Sequence, residues 1–479
     1  MTTDSLRLPN TSHRVELLLG LAAAALVALA SSFTWVFFLT GALPILAISA
    51  TENESFLLAI IFMVPFQWRL ESGLPVASVV RAVVVLGFFL GRLVRSRVRA
   101  RELLQLRLSQ ASLCFLAAGI ASLIFGNPGW IEGAPEGIAR LASYVGFYFV
   151  VLSWVNSEER LRKVIEVIMA STIFLAAFAL IQEISGGYTS FWMRLNPGVE
   201  DISTWQNRPP SFLDTPNNFA FYLNLVLPIG LACWWLSNAG LKRLGALAFC
   251  SGSIALFLTQ SRGGLVAHGL ILLLAVFGLV KGRSKQLVLV AGLCVLTLLL
   301  YLAGSVLSPE HLGSIEDTSS AGRLILWATA WNIFANSPLF GAGLWNFHLL
   351  YREYFQVSWL PPTILGTHNI YLQLLSETGL CGFLAFLGLI AIAVRNARRL
   401  QRSSDHFSKL LGFAALWSLC SLLIHGFVES PLENPQLGTM LWTLLALIAA
   451  KMRLDEVGAR LPAKLAPAIS LNGLAEMGS

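Results

Sequence analysis

The side chains best suited to chemistry stand at the ends of apolar runs. His368, in GTHNIYLQLLSETGLCGFLAFL, heads one of them. A neutral imidazole there could take a proton from an attacking hydroxyl near neutral pH. The same position equally suits a histidine that caps a helix together with Asn369. Arg262, in LTQSRGGLVAHG, sits in a tight turn between two apolar runs, and the adjoining Gly263 and Gly264 let backbone approach a ligand closely. A guanidinium this near hydrocarbon either reaches back to the polar interface along its stem or binds an anion. Arg323 opens a segment with helical apolar spacing, and Arg208 closes a loop ahead of another apolar run. Three such forks converging on one point would hold a pyrophosphate, because a planar guanidinium pairs its donors with phosphate oxygens.

Other polar groups fall inside the runs. Glu377 lies nine residues past His368, about 13 Å further along a helix. Arg81 is embedded in another run, so a structural Arg81–Glu377 pair stands beside a functional reading of either group. Asn218, with Asn217 and Asn224, polarises one end of a run, and His425, Glu429 and Glu433 line the last turn between runs. The six cysteines are scattered singly through apolar segments, with no Cys-x-x-Cys and no clustered histidines. They read as small packing residues, and neither a disulfide framework nor a metal site is expected.

What must position these groups is a membrane bundle. The chain of 479 residues is 56% hydrophobic and 12% charged, with a mean hydropathy of +0.70. Soluble domains carry about 25% charged residues. Apolar runs near the roughly 20 residues needed to cross hydrocarbon as a helix recur from end to end. The runs predict an all-α polytopic bundle of about fourteen transmembrane helices, at 17–31, 33–50, 56–67, 74–93, 109–125, 141–155, 164–182, 217–237, 244–260, 264–280, 287–307, 369–394, 410–427 and 436–450. The first of these resembles a signal peptide, but its long leader and the run that follows at once favour an uncleaved helix.

Basic residues orient the bundle. Placing the N-terminus inside puts 25 of the 33 lysines and arginines, including every lysine, in inward segments. The positive-inside rule then predicts N-in and C-in. The net charge of +7 is a topology signal, and no patch suggests nucleic acid. The expected organisation is helices 1–7 over 1–182, an outer loop over 183–216 and helices 8–11 over 217–307. A large periplasmic loop over 308–368 follows, with an interfacial helix at 322–336 whose apolar positions are Leu324, Trp327, Trp331 and Phe334. Helices 12–14 fill 369–450, and a cytoplasmic tail over 451–479 is expected to be disordered from 455.

The combination of SRGG opening a span, GRLILW…SPLFGAGLWNF in a long outer loop, and HNIYLQLLSETGLCGFLAF resembles the O-antigen ligase and polymerase superfamily. RPPSFLDTPNNFAFYL is also similar to that family's pattern, and the likeness covers about residues 205–450. The resemblance implies a GT-C-type glycosyltransferase of the bacterial inner membrane that inverts at the anomeric carbon and uses neither metal nor cofactor. Its donor would be an undecaprenyl-diphosphate-linked glycan at the periplasmic leaflet, and its acceptor a lipid A-core or another lipid or glycan. By the resemblance His368 takes the place of the general base. Arg262, Arg323 and Arg208 match the arginines on the leaving pyrophosphate, with Asn369, Glu377 and Asn218 in support. Three functions are weighed: a ligase, a polymerase whose acceptor is a second lipid-linked repeat, and a transporter of small anions. Transport predicts inverted repeats, and no repeat is visible in the hydropathy.

Overall fold

A computed structural model of the chain describes residues 53–66, 82–88, 98–126, 133–184, 208–237, 239–279, 318–354 and 366–460, with isolated residues 45, 48, 49 and 292. The helices among them are α1 (Glu54–Met63), α2 (Val98–Gln105), α3 (Arg107–Phe125), α4 (Ala134–Trp154), α5 (Glu158–Ile184), α6 (Pro216–Leu236) and α7 (Ala239–Leu258). They continue with α8 (Arg262–Leu279), α9 (Thr318–Asn336), α10 (Phe347–Tyr354), α11 (Ile370–Gln401), α12 (His406–His425) and α13 (Pro435–Arg460). No strand occurs among the described residues.

Among the described residues, eight helices are long and apolar enough to cross a membrane: α3, α4, α5, α6, α7, α11, α12 and α13. The fold is thus an all-α polytopic membrane bundle, but the expectation of about fourteen spans is overturned. The run 56–67 folds as the ten-residue α1, which at 1.5 Å per residue covers about half the hydrocarbon thickness. The run 264–280 belongs to α8, which contributes only the shorter apolar stretch Arg262–Leu273. Hydropathy counts apolar residues and cannot tell whether they form one unbroken helix of spanning length. The run 17–31, most of 33–50, 74–93 and 287–307, Arg81, and the N-terminus on which the N-in orientation rested lie outside the described residues. At the other end α13 runs on to Arg460, so residues 455–460 are helix and not tail.

Spans α6 and α13 are innermost, each with 83% of its apolar window buried. Trp442 of α13 packs against Phe115 of α3 (ring centroids 6.0 Å apart) and Tyr144 of α4 (5.8 Å). Phe115 continues the cluster to Phe386 of α11 at 5.6 Å. One end of the bundle is locked by cations. Lys451, only 3% exposed, pairs with Glu158 at the start of α5, with Asp405 that caps α12 (3.0 Å) and with Asp455 (2.9 Å). Arg453 donates to the Val155 carbonyl beside it at 2.6 Å. The starts of α4, α6, α8, α11 and α13 gather at the opposite end.

Helix α9 packs on α11, but not through the expected stripe. Leu326, Ala330 and Ile333 are buried with Phe347, Leu350 and Tyr351 of α10, while Leu324 and Trp331 face outward. The connection after α9 then enters a break in α11, where Gly379 has φ +64 and ψ −165. Ala342 and Gly343 donate their N–H groups to the carbonyls of Ser376 (2.9 Å) and Glu377 (2.8 Å), and Leu380 and Cys381 donate to Pro338 (2.8 Å) and Leu339 (3.1 Å). Non-helical backbone is tolerated at membrane depth only where protein satisfies it, and these four bonds do so. A Cβ on Gly379 would lie 2.4 Å from the Leu339 carbonyl carbon, whereas one on Gly388 of the same helix meets nothing within 4 Å. Gly379→Ala therefore combines strain of about 1–3 kcal/mol, from a backbone region that is essentially glycine's alone, with a backbone clash, and it should lower the thermal midpoint of the detergent-purified protein. Gly388→Ala should leave that midpoint unchanged or raise it slightly. Equal midpoints for the two variants would rule out the break as a structural requirement.

Candidate active site

Helix starts expose unpaired N–H groups, and at the end opposite Lys451 asparagines satisfy them while tying helices together. Asn369 caps α11, accepting from the N–H groups of Tyr371 and Leu372 at 3.0 Å each, and its Nδ2 donates to the Phe427 carbonyl at 3.0 Å. Asn434 caps α13, accepting from Gln436 (2.9 Å) and Leu437 (3.1 Å), and donates to Asp214 Oδ1 at 2.9 Å. Asp214 also receives Asn218 Nδ2 at 2.6 Å. The turns before α6 and α11 are thereby fastened to the 426–434 turn.

His368 sits just outside the α11 cap in the left-handed region, at φ +50. Thr367 makes that kink, with its hydroxyl donating to the Asn369 carbonyl at 2.8 Å and accepting the Asn369 N–H at 3.2 Å. The imidazole meets Glu429, Nδ1 to Oε2, at 2.8 Å. The histidine side chain stays 40% exposed while the carboxylate is 5% exposed, so a substrate can reach the imidazole but not its partner. Arg323 approaches the other carboxylate oxygen at 4.0 Å. A second carboxyl, Glu433, accepts the Thr367 N–H at 3.1 Å and lies so close to Gly366 that any Cβ there would collide with it. Ser211, Gln260 and Trp345 also have positive φ, and each stands shortly before a helix. Such residues are uncommon and gather where structure over-determines the backbone.

Charge follows from this geometry. The Glu429 carboxylate raises the His368 imidazole above its ordinary value, against the opposing effect of burial. Burial pushes Glu429 up, but the charge and hydrogen bond of His368, with Arg323, outweigh it and hold the carboxyl at about 2. Burial pushes Glu433 up to about 8, with the neighbouring Glu429 adding to the rise and His368 opposing it. The two carboxyls can therefore coexist beside one histidine, with one ionised and the other neutral.

The second arm of the site is the SRGG turn. Arg262 is the first residue of α8 and its side chain is exposed. A Cβ on Gly263 would lie 2.3 Å from Val428 Cγ2, so this turn is seated directly against the residues preceding Glu429. Asn224 bridges the two, donating to the Gly264 carbonyl at 2.9 Å and meeting His425 Nδ1 at 3.2 Å. Arg208 supports the turn from below: its Nε donates to the Thr259 carbonyl at 2.8 Å and a terminal nitrogen to Asn217 Oδ1 at 2.9 Å.

Of the residues singled out by type and spacing, His368, Asn369 and Arg323 share one cluster, and Arg262 and Arg208 form the adjoining turn. Asn218 braces the cluster through Asp214. Glu377 is buried in α11, where it accepts from Phe347 N–H and Gln373 Nε2, each at 3.2 Å. Gln373 in turn receives the Ser430 hydroxyl. Glu429 stood out only as lining a turn, and nothing in its local sequence marks it as the partner of His368. Arg140, which ties Glu136 and lies 4.0 Å over the Trp345 ring, gave no signal either. Asn434 did have one, since asparagine followed by Pro435 is a helix start. Among the described residues no group of three or more His, Cys, Asp or Glu side chains could hold a metal ion.

A family model described as O-antigen ligase matches residues 246–387, a stretch that contains Arg262, Arg323, His368 and Glu377. The teichuronic acid biosynthesis protein TuaE of Bacillus subtilis (strain 168) is 23% identical over 360 residues, covering 72% of this chain and 71% of that protein. Over residues 246–387 the chain is thus similar to the O-antigen ligase family, and over most of its length to a protein of teichuronic acid biosynthesis.

Proposed function

We propose that this chain is a ligase that moves the lipid-linked glycan onto an acceptor hydroxyl, with His368 as general base. The observation that carries the reading is the 2.8 Å contact between a partly exposed imidazole and a buried, ionised carboxylate. An ionised Glu429 can only accept, so His368 Nδ1 holds the proton and Nε2 keeps its lone pair. Nε2 takes the proton of the acceptor hydroxyl as the oxygen attacks the anomeric carbon. The bond from that carbon to the phosphate oxygen breaks, its electron pair leaves with undecaprenyl diphosphate, and the configuration inverts. Arg262 and Arg323 meet the charge that develops on the leaving diphosphate. Arg208, with two nitrogens already engaged, holds the turn that presents Arg262. In this reading the chemistry needs no metal or cofactor. The basic residues around the Lys451 end support a cytoplasmic assignment for it by the positive-inside rule, and in this reading His368 faces the periplasm.

The overlap with a protein of teichuronic acid biosynthesis supports a second reading, a polymerase whose acceptor is another lipid-linked repeat. The two differ in what a strain lacking the chain accumulates: full-length glycan stranded on the lipid carrier for a ligase, single repeats for a polymerase.

The base form of His368, and with it the rate, is lost as pH falls through its raised pKa. Removing the carboxylate in Glu429→Gln should move the acidic limb of kcat/KM to lower pH. The plateau should fall by about 10²-fold or more, because the imidazole loses its tautomer control. An acidic limb that stays in place would assign the titration to another group. For the diphosphate, Arg262→Lys should be nearly as damaging as Arg262→Ala, since a point charge does not replace a bidentate fork. Full transfer by Arg262→Lys would reduce this residue to an interfacial anchor.

A further inference from the structure

We infer that the arginines at the far end of α11 form a site for the headgroup of an anionic phospholipid, separate from the transfer site. Arg395, Arg398, Arg399 and Arg402, with Ala391 and Val394, line an open groove of about 540 Å³. Ala391, Arg395, Arg398 and Arg402 are spaced by four, three and four residues, which puts them on one stripe of the helix. All four arginines are exposed.

Four basic neighbours on the same end of the bundle are engaged within the protein. Lys451 has three carboxylates, Lys163 pairs with Glu54 and Glu159, Arg160 approaches Glu54, and Arg453 donates to a carbonyl. The groove of α11 contains no carboxylate in its lining. Among the described residues, no side-chain hydrogen bond or ion pair engages its four guanidinium groups. The helix dipole favours cations at a C-terminus, which accounts for one or two arginines but not for four that converge on a shared cavity. Ala391 and Val394 belong to the apolar part of a membrane span, so the floor of the groove continues into the hydrocarbon. A ligand that meets both surfaces carries a phosphate at the guanidinium level and an apolar tail below it. A phospholipid has that form, whereas a nucleic acid or an acidic peptide would leave the apolar floor uncovered.

The test is native mass spectrometry of the full chain in detergent, titrated with phosphatidylglycerol or phosphatidylcholine. Wild type should retain phosphatidylglycerol selectively. A basic group near an anionic lipid surface contributes about five-fold in affinity, so R395Q/R398Q/R402Q should bind it on the order of a hundred-fold more weakly. The charge-conserving R395K/R398K/R402K should keep most of the binding, and glycan transfer by both variants should match wild type, which confirms that they fold. Equal retention of the two lipids by wild type, or undiminished phosphatidylglycerol binding by the glutamine variant, overturns the proposal. Displacement of the lipid by millimolar inorganic phosphate would show a free-anion site and overturn the lipid assignment.

Discussion

The bond from His368 to Glu429 joins the start of α11 to the turn that follows α12. A carboxylate this deeply buried is tolerable only when paired. Removing one member of such a pair leaves an uncompensated charge, a cost of about 3–5 kcal/mol. The surroundings are organised to keep the two together. Asn369 fixes the α11 cap to the Phe427 carbonyl, the Ile370 N–H reaches the Gly426 carbonyl, and Asn434 and Asp214 anchor the far side of the same turn. Left-handed backbone at His368 is sustained by these ties and is the means by which the imidazole leaves the helix to meet its partner.

The bilayer imposes the second constraint, that no backbone polar group be abandoned. It explains why the segment 338–343 does not simply loop over the surface. Its amides and carbonyls complete the hydrogen bonding of the broken α11, and Glu377 next to the break receives Phe347 N–H. The loop that carries Trp345 and α10 is therefore rigidly referenced to the helix that His368 heads. Arg140 extends this connection, lying over Trp345 while reaching the Glu433 carbonyl at 3.4 Å.

Much of this was legible in the sequence because it is local. Among the described residues eight of the apolar runs are helices of spanning length, and Asn369, Thr215–Pro216 and Asn434–Pro435 announce helix starts by residue type alone. His368 was found through its place at the head of a run. The partner was not, because the pairing of His368 with Glu429 depends on how α11 and α12 meet and leaves no trace within either segment. Arg208 shows the same limit: its sequence position suggests a phosphate ligand, while two of its nitrogens serve the Thr259 carbonyl and Asn217. Span count failed for another reason. The α1 segment has the hydropathy of a span without the length, and periodicity could not foresee that α9 buries Leu326, Ala330 and Ile333 in place of the more apolar-looking stripe beside them.

The central claim is that His368 takes the acceptor proton. Its most direct test is single-turnover release of undecaprenyl diphosphate by the purified chain, in wild type and in His368→Gln, with donor binding measured on the same samples. Glutamine preserves size and hydrogen bonding but cannot act as a base. Donor affinity should be unchanged while the rate falls about 10²- to 10⁴-fold. A variant that binds donor and releases undecaprenyl diphosphate at the wild-type rate would contradict the account.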